Sequence, residues 1–187
     1  ISVTSLKPAD QFIEAQVRIE NLAGHSLPSG VAFRRAFLTF EALDEKGNVV
    51  WASGRTNSAG AIVKGTSEEV LPTEFFFDPA TRKQVFQPHH QTLTDESQAQ
   101  IYEEIIADPE GKITTSFVGL DHPLKNNRFL PKGWRTDGPL AEFTSPHGDA
   151  EHDPDYNGKS GASGADNLTY RIPLNERTRA IVSVRVT

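Results

Sequence analysis

The chain contains no cysteine among its 187 residues. Disulfides, thiolate metal sites, cysteine nucleophiles and covalent haem attachment through a CxxCH motif are therefore excluded within it. Methionine is absent as well. Both ends, ISVTSL at Ile1 and AIVSVRVT at Thr187, read as strands. We therefore expect a processed chain or a fragment, such as the C-terminal domain of a longer polypeptide.

Long hydrophobic runs and excess positive charge are also missing. No apolar run approaches the roughly 18 residues that a membrane-spanning helix requires. The formal net charge is −6 and the sequence pI is about 5.5. An acidic chain is poorly suited to nucleic acid or to anionic membrane surfaces. We predict neither a membrane span nor a nucleic-acid partner.

Helical periodicity is scarce, and alternation of period two dominates. Ala15, Val17 and Ile19 alternate with polar residues, which predicts a half-buried strand. Residues 35–53 predict a hairpin around the turn at 44–48, with Trp51 in its core. A second hairpin turn is predicted at 108–112, and a helix starting near Thr94 is the disfavoured alternative to a strand at 98–107. Further strands are predicted at 74–78, 113–118, 168–174 and 180–187.

Many short strands separated by turn signals indicate an all-β fold. We predict an antiparallel immunoglobulin-like β-sandwich, formed as a single domain over residues 1–187. The stretch 120–164 departs from this pattern because it is rich in Pro, Gly, Asp and Asn. It predicts a long irregular loop region, which in a compact domain is usually functional.

An acidic loop in that region has the order D-x-D-x-N-G, from Asp153 through Asp155 and Asn157 to Gly158. Alternating oxygen-bearing side chains in a tight turn match the preference of Ca²⁺ for several oxygen ligands. The glutamate of a complete EF-hand is missing, and Asp166 is the nearest carboxylate beyond it. The alternatives are a calcium site formed by Asp153, Asp155, Asn157 and Asp166, or a solvated turn closed by Asx hydrogen bonds.

Histidines are the second candidate group, and all fall in or beside predicted loops. Such side chains can gather into a copper or zinc site. His89 and His90 are adjacent, however, so in an extended chain they point to opposite sides. The alternative is that the histidines bond backbone carbonyls. The six are His25, His89, His90, His122, His147 and His152.

Two aromatic residues of the irregular region, Trp134 and Tyr156, are candidates for a binding surface. An aromatic face stacks on sugar rings in many β-sandwich modules. The alternative is that Trp134 covers one end of the fold. Ser29 lies outside any G-x-S-x-G motif, and no carboxylate spacing indicates a glycosidase. We therefore expect a non-catalytic protein.

Four stretches, taken in order, carry a family resemblance. They are NLAGHSLPSG with RRAFLTFEALD (21–44), Pro88-His89-His90, QAQIYEEIIADPEGKITTSF (98–117) and LKNNRFLPKGW (124–134), and the DNLTYRIPL strand follows them. Together they resemble the haem-free C-terminal β-sandwich region of multihaem c-type cytochromes of the c554-like type. The resemblance spans roughly residues 14–174.

The resemblance implies a secreted bacterial protein of the periplasm or the extracellular space. It implies an accessory or docking role in electron transfer, with no haem bound covalently here and haem c on an adjoining segment or subunit as partner. His25, His89 or His90 would then be candidate axial ligands of that haem. Arg34 and Arg35 would be structural, one of them pairing with a carboxylate such as Glu103, Glu104 or Asp121.

Two other functions stay open at this stage. One is a calcium-stabilised module that binds carbohydrate or another surface. The other is a small copper or zinc protein that uses the loop histidines.

Overall fold

A computed structural model describes residues 1–31, 33–156 and 163–187 of the chain. It confirms the all-β class, because the described residues form many short strands and little helix. The strands are β1 (Ser2–Pro8), β2 (Phe12–Glu20), β3 (Ala36–Phe37), β4 (Phe40–Leu43), β5 (Val49–Ser53), β6 (Phe77–Asp78), β7 (Lys83–Gln84), β8 (Thr92–Leu93), β9 (Ile101–Tyr102), β10 (Glu104–Ala107), β11 (His122–Asn126), β12 (Ala165–Pro173) and β13 (Ser183–Val186).

The helical segments within the described residues are short. One α-helix covers Ala141–Thr144, and 3-10 helices cover Pro72–Phe75, Gly148–His152 and Thr178–Ala180. None of these segments has the length and apolar character needed to span a bilayer.

The chain forms two compact units. Unit 1 contains residues 1–18, 37–100 and 168–187, and unit 2 contains residues 19–36 and 101–167. The expected single domain and the sandwich arrangement both remain predictions.

Unit 1 contains a four-stranded sheet of order β1-β2-β12-β8, a three-stranded sheet of order β13-β4-β5, and the β6-β7 pair. Strands β1 and β2 are antiparallel, whereas β8 joins β12 in parallel, with Thr92 opposite Thr169. The first sheet is therefore mixed rather than purely antiparallel.

The core of unit 1 is aromatic. The rings of Phe40 and Tyr170 stack with centroids 3.9 Å apart, and Trp51 meets both of them edge-on. All three side chains are buried. The prediction that Trp51 belongs to the core is confirmed. Its strand partner is Ala42, one of the buried positions in the alternating pattern of β4.

The predicted hairpin at 35–53 is confirmed in its β4–β5 part. Asp44 Oδ1 accepts the backbone N–H groups of Lys46 and Asn48, at 2.9 and 2.8 Å. Gly47 adopts a φ of +80°, which closes the turn without a side-chain penalty. Local hydrogen-bonding residues thus determine this turn, as the sequence pattern indicates.

One predicted strand is wrong, and another is confirmed only at its end. Within the described part of the chain, residues 113–118 make a single bridge, between Ala107 and Ile113, because the chain turns again where Gly119 N–H bonds the Ser116 carbonyl. Strand β11 pairs with β10 instead. Residues 74–78 begin inside the 3-10 helix that Pro72 opens, and only Phe77–Asp78 is strand.

The region 120–164 is less irregular than predicted. It opens with β11 and contains the short α-helix and the 3-10 helix at Gly148–His152. The remaining described part is turns and extended chain, as its proline content favours.

Candidate functional site

Asn21 anchors the first loop of unit 2. Its side-chain amide donates to the carbonyls of His25, Phe129 and Leu130, and its Oδ1 accepts the Ala23 N–H. The side chain is buried, so these bonds replace the hydration that it loses. Asn21 therefore joins the loop 21–30 to the stretch 124–134, two of the segments that carry the family resemblance.

A buried ion pair in unit 2 joins two further stretches that carry the family resemblance, 98–117 and 124–134. Lys125 Nζ donates to Glu103 Oε1 at 2.9 Å and to the Ile101 carbonyl at 2.8 Å. Only 2% of the lysine side chain and 7% of the glutamate side chain are exposed. Burial lowers the pKa of Lys125 below its ordinary value, and the charge of Glu103 opposes that shift.

Asn127 completes the buried polar frame of unit 2. Its side chain bonds the Ile101 carbonyl and the Glu103 N–H, and its carbonyl accepts the hydroxyl of Tyr156 at 3.0 Å. Burial raises the pKa of Tyr156 well above its ordinary value, and the charge of Asp166 adds to the shift. Tyr156 is therefore a neutral donor at physiological pH.

Three of the four predicted calcium ligands lie in unit 2. Asp153 and Asp166 are buried, and carboxylate oxygens of the two lie within 4.8 Å of each other. Asp166 Oδ2 accepts the hydroxyl of Tyr102 at 2.7 Å. Asp155 Oδ2 instead accepts the backbone and side-chain N–H groups of Asn167. The fourth residue, Asn157, lies outside the described residues, so calcium binding stays a prediction.

The two aromatic candidates line one cleft of about 350 Å³ in unit 2. Trp134 is half-buried and packs on the cluster that contains Tyr156. Pro146, His147 and Glu151 also line this cleft. The structure thus brings together Trp134 and Tyr156, which are 22 positions apart in the sequence.

The histidines do not share one environment. His25 is exposed, and its Nδ1 lies 2.9 Å from the Ser26 carbonyl. In unit 1, His89 and His90 are buried and bond Gln100 and Gln87. Axial ligation by any of the three stays a prediction.

Two of the three remaining loop histidines make local contacts in unit 2. His122 bonds Asp121, and His147 bonds Glu151. Both pairs are about half-exposed. These two histidines bond carboxylates rather than the expected backbone carbonyls, and the copper or zinc site stays a prediction.

The arginine pair is exposed, and Arg34 donates to the Ser29 carbonyl at 3.3 Å. Two of its three expected partner carboxylates have other cationic partners, since Glu103 pairs with Lys125 and Glu104 with Arg128. Pairing of Arg34 or Arg35 with one of the expected carboxylates stays a prediction, and the structure adds a buried lysine that pairs with Glu103. Lysine is so rarely buried that the pattern gave no reason to choose it.

Unit 2 has an exposed apolar surface that the sequence pattern did not indicate. The rings of Phe33 and Phe117 meet edge-on with centroids 5.9 Å apart, and Val118 follows directly in the chain. Their exposed fractions are 53%, 67% and 99%. We call these three residues the aromatic patch. The sequence indicates this surface only through the apolar Phe117-Val118 pair, which the alternation pattern assigned to the predicted strand 113–118.

Comparison with known proteins gives one structural similarity. No family model matches the chain, and no curated protein matches it. The crystal structure of a penta-heme cytochrome c552 from Thermochromatium tepidum is similar at 18% sequence identity and a TM-score of 0.49. The match covers 97% of this chain and 29% of that chain, so the chain spans less than a third of that cytochrome. Identity and TM-score at this level are too low to assign a function.

Proposed function

We propose that this chain is a non-catalytic accessory domain of a secreted multihaem c-type cytochrome. Its role would be to dock on the haem-bearing segment or subunit that carries the electrons. The resemblance of the four sequence stretches supports this proposal. Unit 2 adds support because contacts between those stretches form its polar frame, through Asn21 with Phe129 and Glu103 with Lys125.

The aromatic patch is the surface that we assign to docking, and it is the observation that carries the proposal. Large aromatic side chains are enriched at the cores of protein interfaces. Two adjoining phenylalanine rings and a valine left this exposed are typical of an interaction site rather than of scattered surface residues.

The charge beside the patch favours a haem-bearing partner. Arg34 and Arg35 follow Phe33 directly and are exposed, although the chain as a whole has a net charge of −6. A haem presents an apolar ring edge next to anionic propionates. Phenylalanines next to arginines complement both features, since guanidinium groups bind carboxylates well.

His25 is the residue that we propose as an axial ligand to a neighbouring haem. It is exposed, whereas His89 and His90 are buried. A bond from Nδ1 to a backbone carbonyl leaves Nε2 as the metal-binding nitrogen, as is usual for ligating histidines. Replacing His25 with alanine in the parent cytochrome should then shift the optical spectrum and reduction potential of one haem.

The first test is the visible absorption spectrum of the protein purified from its native source. A Soret band with reduced c-type α and β bands is expected, because the chain travels with a haem-bearing segment or subunit. A colourless preparation would contradict the proposal and detach the chain from the cytochromes.

The docking surface is tested by placing a photoreactive phenylalanine analogue at Val118 and, as control, at Val182, which lies in unit 1 and is 54% exposed. We expect a cross-link from position 118 to a peptide that carries haem c, identified by mass spectrometry. Equal cross-linking from position 182, or cross-links from 118 only to haem-free peptides, would sink the assignment.

A further inference from the structure

The residues that line the cleft beside Trp134 have no part in the proposed docking surface. Its volume of about 350 Å³ falls in the range of small-molecule sites, roughly 300–1,000 Å³. Its lining combines the aromatic and apolar side chains of Trp134, Pro146 and Tyr156 with polar side chains, which are Thr136, Ser145, His147 and Glu151. We propose that this cleft binds a pyranose ring of a carbohydrate.

Trp134 supplies a stacking platform that is already held in place. Its indole N–H donates to Thr144 Oγ1 at 3.0 Å, and its carbonyl accepts the Ser163 hydroxyl at 2.9 Å. It also packs on the cluster of Leu130, Ala150 and Tyr156. A ring fixed in this way loses little entropy when a sugar stacks on it.

Tyr156, which also lines the cleft, is held in place as well. Tyr156 is only 1% exposed, and its hydroxyl is occupied by the Asn127 carbonyl. The tyrosine therefore leaves little of its ring to a ligand and belongs to the cluster that supports Trp134, and its polar group bonds within unit 2. The indole face of Trp134 matches the C–H surface of a pyranose.

The polar side chains of the cleft offer both donors and acceptors. Glu151 Oε1 accepts both the Gly148 N–H and the bond from His147 Nδ1, so these two bonds fall on the same carboxylate oxygen. Ser145 donates its hydroxyl to the Ala141 carbonyl, and its oxygen can still accept. Carboxylate, hydroxyl and imidazole together can bond the hydroxyl groups that surround a sugar ring.

The hydrogen-bond donors and acceptors of the cleft favour a sugar over a quaternary ammonium, the other class of ligand that aromatic clefts bind. A quaternary ammonium would also stack on Trp134 and be attracted to Glu151. It has no hydrogen-bonding group, however, so it could not use the further hydrogen bonds that Ser145 and His147 can make besides those to Ala141 and Glu151. A polyhydroxylated ring satisfies those groups and the aromatic side chain at once.

The test is an NMR titration of the 187-residue chain, followed through the indole N–H signals of its two tryptophans. The probes are cellotriose, maltotriose, mannotriose and the trisaccharide of N-acetylglucosamine, with tetramethylammonium as the competing class. Trp51 is an internal reference because it is buried in the core of unit 1. We expect a saturable shift of the Trp134 signal with at least one trisaccharide and an unmoved Trp51 signal.

Variants assign the binding to the cleft. Trp134→Ala and Glu151→Gln should each weaken binding at least tenfold. Trp134→Phe, which keeps an aromatic ring, should bind with an intermediate affinity and covers the case in which the alanine variant does not fold. Asp137→Asn is the matched control, because Asp137 is exposed and pairs with Arg135.

Three results would overturn the assignment. They are the absence of a saturable Trp134 shift with every trisaccharide, unchanged affinity in Glu151→Gln, or saturation by tetramethylammonium alone. None of them bears on cross-linking from Val118, so the docking proposal stands or falls separately.

Discussion

A few buried polar side chains determine how the segments of unit 2 are joined. Asn21, Lys125 and Asn127 are each at most 2% exposed, yet each bonds backbone carbonyls from another segment. A buried polar group that loses its partner costs more than the bond itself contributes, because its desolvation is no longer compensated. These residues therefore determine which segments meet as well as how firmly.

The ion pair of Lys125 and Glu103 gives the sharpest stability prediction at this scale. Glu103→Ala leaves a buried ammonium without its carboxylate and should lower the free energy of unfolding by about 3–5 kcal/mol. Asp137→Ala breaks an exposed pair with Arg135 and should change the free energy of unfolding far less, because solvent screens exposed charges. Urea denaturation measures both, and similar costs for the two variants would contradict the burial argument.

The raised pKa of Tyr156 predicts that the protein loses stability at alkaline pH. Its folded-state pKa lies well above the ordinary tyrosine value of about 10. Between those two values the folded chain binds more protons than the unfolded chain, so the free energy of unfolding falls as the pH rises. Below about pH 10 the contribution is fully present.

The check is the difference between wild type and Tyr156→Phe in urea at about pH 8 and about pH 11. Phenylalanine removes the bond to the Asn127 carbonyl, which should cost about 1–2 kcal/mol at the lower pH. The gap between the proteins should narrow at the higher pH. The lowered pKa of Lys125 has the opposite alkaline effect but cancels in this difference. A gap independent of pH would rule the linkage out.

Turns and strand ends set the pairing at the scale of elements. The β4–β5 turn closes on Asp44 and Gly47, both recognisable from the sequence. The end of β5 depends instead on Gly54, whose φ is +71° and whose missing Cβ would overlap the carbonyl oxygen of Leu38. Local hydrogen bonds therefore determine the β4–β5 turn, whereas the conformation at Gly54 is required by a backbone carbonyl 16 positions earlier in the chain.

Gly54→Ala should therefore be far more costly than Gly47→Ala. Both residues have positive φ, but a Cβ at Gly47 would meet nothing within 4 Å. We expect about 1 kcal/mol for Gly47→Ala from backbone strain alone, and about 3 kcal/mol or more for Gly54→Ala. Thermal unfolding of both variants measures the contrast, and equal melting temperatures would contradict it.

The predicted calcium site joins two elements, since Asp153 ends a 3-10 helix and Asp166 lies in β12. Calcium that binds both carboxylates should raise the melting temperature, and chelation should reverse the rise. Asp166→Asn should abolish the calcium effect, whereas Asp10→Asn, an exposed aspartate in unit 1, should keep it. A melting temperature unaffected by calcium would leave the solvated turn as the correct interpretation.

Charge distribution matters at the scale of the whole molecule. The chain has a net charge of −6, so the exposed Arg34 and Arg35 beside the aromatic patch are a local exception. Attraction between exposed charges is screened beyond about 10 Å at 0.1 M salt. Docking on a haem-bearing partner through this surface should therefore weaken with ionic strength.

Arg34→Glu with Arg35→Glu should slow association with the purified haem-bearing partner and remove most of its salt dependence, because such charges act mainly on the association rate. Arg135→Glu, an exposed change elsewhere in unit 2, is the control. Stopped-flow measurements at low and high salt distinguish the two. An unchanged rate in the double variant would place the docking surface elsewhere.

The all-β class, the β4–β5 hairpin and the core position of Trp51 were predictable from the sequence. They depend on period-two alternation and local turn chemistry, which neighbouring residues carry. The partner of β10, the burial of Lys125 and the meeting of Trp134 with Tyr156 were not predictable. Each depends on contacts between segments far apart in the chain, which no local pattern encodes.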